Sequence, residues 1–146
     1  MQQGNQSNQS NQNNFWDAVG IPSRGERLYQ AIHEGFSCEV FSKLADISGI
    51  EKNQLAKITT IAPASLNRRY KAGFFTEAES DRLYRYAEVY KSALNLFEGH
   101  DQKALHWLMS PVNGLGGRKP IEMLRTSAET KAVLDLIGRL EHGVFV

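Results

Sequence analysis

The chain is short of the residues that cross-link, kink or embed a protein. It has one cysteine (Cys38), four prolines, and no apolar run near the ~20 residues of a membrane-spanning helix. A single cysteine excludes an internal disulfide and suits a reducing compartment. Cys38 lies among apolar neighbours, so a buried, inert thiol is expected. Formal charge is only +1, so no global field draws nucleic acid or lipid, and any such attraction must be local. The four histidines (His33, His100, His106, His142) are dispersed, and none stands at metal-ligand spacing from a cysteine or an acid. No metal and no cofactor is expected. The first residues are polar without an apolar core, which argues against a secretory signal and makes the cytoplasm the expected location.

What remains is an ordinary globular composition, long enough for one domain or two small ones. Residues 1–14 are almost wholly Gln, Asn, Ser and Gly, a segment unable to bury enough apolar surface to offset its ordering entropy, and read as a disordered tail. Phe15 and Trp16 open the folded part. Ser23, with Glu26 three residues on, predicts a capped helix to about Glu34, carrying Leu28, Tyr29 and Ile32 at helical spacing. Ser37 predicts the cap of the next, which buries Val40, Phe41, Leu44, Ala45 and Ile47 and stops at Gly49. Short helices follow over 51–58 and 63–71. Thr76 with Glu79 forms a second capping box, opening a long helix to about Phe97 with one apolar stripe (Leu83, Ala87, Tyr90, Leu94, Phe97). A short helix over 101–109 and a last one, capped by Thr126 with Glu129 and ended by Gly143, complete an all-α reading without strands or repeats.

Residues 55–69, L-A-K-I-T-T-I-A-P-A-S-L-N-R-R, have the internal spacing of a helix-turn-helix. Ala56 is small enough to let two helices cross closely, a turn falls near Thr60, and Ile61 and Leu66 anchor the second helix. Ala64, Ser65, Asn67, Arg68 and Lys71 then face outward, and Arg69 is counted with them. Ser and Asn can bond base edges or phosphates, and Arg can read guanine or clamp phosphate. Local charge agrees. Lys52, Lys57, Arg68, Arg69 and Lys71 lie in a span from 52 to 73 with no acid, whereas residues 76–98 hold five acids against three bases. The plainer alternative is that these arginines only solvate a surface.

The loop N-G-L-G-G-R-K-P at 113–120 holds Gly114, Gly116 and Gly117 and ends at Pro120, a helix-restarting position. It lacks the G-x-x-x-x-G-K-[ST] order and no strand precedes it, so phosphate cradling is disfavoured. The expectation is a turn packing Trp107 against the next helix, with burial of Trp107 favoured over its exposure as an interface anchor. Enzymatic activity is not expected.

With these residues in view, the chain resembles the Xre/MbcA/ParS family of antitoxins, specifically partners of RES-domain toxins. Residues 61–83, I-A-P-A-S-L-N-R-R-Y-K-A-G-F-F-T-E-A-E-S-D-R-L, are similar to the family's Xre-type helix-turn-helix domain. Ala104, Trp107, Leu108, Pro111, the L-G-G at 115–117, Pro120, Leu124, Thr126 and the run G-R-L-E-H-G-V-F at 138–145 are similar to its toxin-binding domain. Glu129 departs from the glycine common there. The resemblance implies a tail (1–14), a helix-turn-helix DNA-binding domain (15–75), a connecting or dimerisation helix (76–99) and a toxin-binding domain (100–146). It further implies an antitoxin that blocks the active site of a cognate NAD-degrading RES toxin and represses its own operon as a homodimer on operator DNA. NAD then belongs to the partner. The toxin-facing set is expected to be Asn113, Leu115, Gly116, Gly117 and Arg118 with His142, Gly143, Val144, Phe145 and Val146, the apolar last residues suggesting an inserted anchor. The alternative is a stand-alone helix-turn-helix regulator with a C-terminal ligand- or protein-sensing domain.

Overall fold

In the computed structural model, residues 14–143 are described, and among them the chain is helical without a strand. Helix α1 covers 14–19, α2 Gly25–Glu34, α3 Cys38–Ser48, α4 Lys52–Ile58, α5 Pro63–Ala72, α6 Glu77–Leu96, α7 Asp101–Leu108 and α8 Ser127–Glu141. Two 3-10 turns, Asn113–Leu115 and Pro120–Glu122, sit between α7 and α8.

The expected boundary signals mostly act as read. The Ser37 hydroxyl accepts from Val40 N, and Gly49 closes α3 in the left-handed conformation. At α6 both halves of the capping box form: the Thr76 side chain accepts from Glu79 N, and the Glu79 carboxylate accepts from Thr76 N. Such a cap contributes about 1 kcal/mol. Two expectations fail. Ser23 does not cap α2, which starts at Gly25 after an extended Arg24 with no side-chain cap bond. Asn14, assigned to the polar tail, is already helical. The rest of that tail lies outside the described residues.

One apolar core runs through the whole fold. Phe15 and Trp16 of α1, Phe41 and Leu44 of α3, Leu55 of α4, Leu66 of α5, Leu83 to Ala93 along α6, Leu108 of α7, and Val133 and Ile137 of α8 all belong to it. Helix α6 is its axis, packing against α2 and α3 on one side and α7 and α8 on the other. The first part of its stripe is used within the chain, Leu83, Ala87 and Tyr90 being at most 1% exposed, whereas Leu94 and Phe97 at its far end are only half-buried. Leu83, Ala87 and Tyr90 are therefore core residues rather than contacts open to a second copy.

One close approach depends on glycine. Gly35 turns the chain between α2 and α3 at φ +94, and a Cβ there would lie 2.0 Å from the Phe75 carbonyl oxygen, a backbone atom that cannot step aside. Gly73 has nearly the same φ, +93, with nothing within 4 Å of its would-be Cβ. In urea unfolding, Gly73→Ala is expected to cost about 1 kcal/mol, from backbone strain alone. Gly35→Ala should cost roughly 3 kcal/mol or more, through strain plus displacement. Equal losses would contradict the packing at Gly35.

Candidate functional site

The α4–turn–α5 unit is built from short-range satisfaction of its own backbone. Ala56 is buried and its carbonyl oxygen accepts from Ile61 N at 2.8 Å, which closes the turn. The Thr59 hydroxyl, fully buried, donates to Leu55 O at 2.6 Å. Thr60 takes φ +56, a left-handed turn residue without glycine's freedom. Ile61 and Leu66 plug the core at 3% and 6% exposure. The small residue, turn and two plugs thus occupy the roles their spacing predicts.

Pro63 sits at the first turn of α5, where a missing N–H is harmless. At 100° per residue, Leu66 defines the inner face of α5 and Ala64, Asn67, Arg68 and Lys71 the opposite one. All four are exposed, and Ser65 is half-buried on the flank. The Arg68 guanidinium donates to Ser65 Oγ at 3.1 Å, which holds it over the N-terminal half of the helix. Asn53, Lys57 and Thr60 line an adjoining cleft between α4 and α5. Side chains of this kind on one exposed helix face can meet both base edges and phosphates.

Arg69 does not belong to that face. Its Nε donates to Glu79 Oε1 at 2.6 Å and its Nη2 to Glu79 Oε2 at 3.3 Å, a fork against a carboxylate only 9% exposed. Leu66 and Arg69 lie on the same inner side of α5, so the pair ties that helix to the capping box of α6. Burial pushes the Glu79 carboxyl up, but hydrogen bonds from Arg69 and from the Thr76 backbone and side chain outweigh it and hold the group below its ordinary range. From the other side of α5, the Cys38 thiol donates to Arg69 O at 3.2 Å. Cys38 is half-buried rather than buried, and burial raises its pKa, so the thiol is poorly reactive.

Two further arginines escaped the sequence reading. Arg82 Nε donates to Thr59 O at 2.6 Å, gripping the helix-turn-helix turn from α6. One turn on, Arg85 donates to Leu124 O and Arg125 O at 3.2 and 3.1 Å while pairing with Asp81 at 2.6 Å. Their acceptors are backbone carbonyls 23 to 40 residues away in the chain, and no local pattern encodes such a partner.

In the C-terminal part, the 113–119 loop is mostly exposed, including Asn113, Gly116, Gly117 and Arg118. Leu115 is not: at 9% exposure it belongs to the core, which corrects its place among the toxin-facing residues. The loop closes on itself through backbone bonds from Val112 N to Arg118 O and from Gly117 N to Val112 O. Arg118 also pairs with Glu129, which in turn bonds Thr126 at the start of α8. Glu129, the departure from the family's glycine, thus joins loop to helix cap. Trp107, expected to be buried, is only partly so: its ring packs 6.4 Å from Phe97 with one side open. His142 and Gly143 are exposed at the end of α8. Val144, Phe145 and Val146 lie outside the described residues. Among those described, no cluster of metal-binding side chains occurs, and no helix is long and apolar enough to cross a membrane.

Comparison with known proteins divides the chain along the same lines. Residues 27–88 match the antitoxin Xre-like helix-turn-helix domain, and residues 92–143 match the antitoxin Xre/MbcA/ParS C-terminal toxin-binding domain. The chain is 42% identical over 132 residues to Antitoxin Xre of Yersinia enterocolitica serotype O:8, covering 89% of each chain. It is 37% identical over 134 residues to Antitoxin Xre of Photorhabdus laumondii, covering 90% of each.

The Arg69–Glu79 pair sets a pH dependence. Glu79 has a folded pKa below its unfolded value, so its stabilisation is complete above the unfolded carboxyl range and is lost as pH falls through the folded value. Thermal unfolding across the acid range should show the wild type losing stability over that window and Glu79→Gln, less stable at neutral pH, losing less. Superimposable acid profiles would contradict a structural role for the pair.

Proposed function

Because the chain belongs to the Xre/MbcA/ParS family, whose members are toxin-binding antitoxins and not enzymes, we propose that it neutralises a RES-domain toxin and represses its own operon. The observation that carries the reading is the coexistence, on one helical core, of a helix-turn-helix with a free polar face and a module matched to toxin binding. A stand-alone regulator accounts for the first part only.

On DNA, α5 lies in the major groove. Ser65, Asn67 and Arg68 approach base edges, while Lys57 and Lys71 meet phosphate on either side. Two protomers bind as a homodimer on two half-sites. On the toxin, the exposed residues Asn113, Gly116, Gly117 and Arg118 face the partner. The segment from His142 through Val144, Phe145 and Val146 reaches into the site where the toxin consumes NAD. An aromatic flanked by β-branched residues is a suitable anchor for a pocket. The chain itself holds no cofactor in this scheme.

Two outcomes follow. With Lys52, Lys57 and Lys71 of each protomer on phosphate, about three basic groups, the log of operator affinity should fall against log salt with a slope of roughly −5. Arg68→Ala should weaken operator binding about tenfold or more, consistent with loss of ~1–3 kcal/mol of discrimination. Salt-independent binding, or an Arg68→Ala variant with wild-type affinity, would contradict this placement. Deleting residues 144–146 should abolish protection of cells expressing the RES-domain toxin while leaving operator binding intact; full protection by the shortened chain would refute the insertion.

A further inference from the structure

Helix α7 has two faces of different character. Ala104 and Leu108 are fully buried against the core. Gln102, Lys103, His106 and Trp107, followed by Ser110, fall on the other side and join Phe97 from the end of α6 to line an open cavity of about 470 Å³. Phe97 and Trp107 are both half-buried, with rings 6.4 Å apart and tilted by 54°. Together they make an aromatic surface that the fold leaves open rather than filling from within.

The lining holds no acid. Lys103 is exposed and has no ion pair among the described residues. Asp101, the nearest acid in sequence, is turned onto its own helix, where it accepts from Gln102 N at 2.8 Å. The groove therefore favours an apolar side chain carried on a segment that also presents a carboxylate. Within a second copy of this chain, the exposed aromatics Tyr70 and Phe74 flank Lys71 and would bring like charge to Lys103, whereas Tyr29 is exposed one turn from Glu26 on α2, which is why self-association is read out in the test. The groove lies within residues 92–143, the part matched to toxin binding.

We infer that the Phe97–Trp107 groove is a docking site for the toxin, taking an apolar side chain between the two rings while Lys103 meets a neighbouring carboxylate. This rests on the reading that the partner is a toxin, and it adds a contact separate from the 113–118 loop and the chain's last residues. Central aromatics in desolvated pockets dominate interface energetics, whereas rim charges act mainly on encounter rate and contribute less.

The test is binding of the full chain to the RES-domain toxin encoded beside it, by calorimetry, alongside operator binding. Trp107→Ala is expected to weaken toxin binding about 30-fold or more. Trp107→Phe should retain most of the affinity, and Lys103→Glu should weaken it about tenfold. Operator affinity should be unchanged in all three. Lys103 is exposed and unpaired among the described residues, so Lys103→Glu carries the test even where Trp107→Ala folds poorly. Toxin affinities within twofold of wild type for Trp107→Ala and Lys103→Glu would overturn the inference. So would variants that alter self-association of the free chain and leave the toxin unaffected, which would assign the groove to a second copy. Failure of the wild type to bind the toxin at all is a different result: it removes the antitoxin–RES pairing itself, and the groove assignment with it.

Discussion

Helix α6 cannot be removed from either half of this protein. Its apolar side is buried against α2, α3, α7 and α8, and its polar residues hold the rest in place. Glu79 fixes α5 through Arg69, Arg82 fixes the turn before α5 through Thr59 O, and Arg85 fixes the approach to α8 through Leu124 O and Arg125 O. All but the exposed bond to Arg125 O join a charged group to a partner partly withdrawn from water, where such bonds are stronger than on an open surface. The division into a helix-turn-helix half and a toxin-binding half is thus a division of surfaces laid over one continuous interior.

That arrangement explains how a nearly neutral chain can present a cationic face. Between residues 52 and 73 there are bases and no acids, and the acids cluster on α6 behind them. Glu79 neutralises the one arginine of α5 that points inward, which leaves Arg68 and Lys71 with unshared charge on the outer face. A single stretch of sequence therefore supplies both the brace and the exposed cationic face. The residue that decides which is which is Leu66, whose burial sets the rotation of α5.

Much of this was legible in the sequence, because short-range chemistry determines it. Capping residues at 37, 76 and 126, glycine stops at 49 and 143, and the small-residue, turn and plug spacing at Ala56, Thr60, Ile61 and Leu66 all involve partners within a few residues. The misreadings share a cause. Arg69 looks like its neighbour Arg68 until α6 brings Glu79 to it, and Leu115 looks like part of an exposed loop until the core closes under it. Trp107, flanked by leucines, reads as core although Phe97 covers only one side of its ring. Ser23 followed by Glu26 reads as a capping box, yet the chain is extended at Arg24 and the helix starts past it. In each case the deciding partner is distant in sequence or is the backbone itself. Neither has a residue-type signature.

The central claim is that α6 makes the two halves one cooperative body. Native-state hydrogen exchange under increasing denaturant reads this directly, because amides that open only with the whole fold converge on a single free energy. The account predicts that the slowest amides of α3, α6 and α8 merge onto one common isotherm. Amides of α8 opening at a distinctly lower free energy, while α3 and the first turns of α6 stay protected, would contradict it.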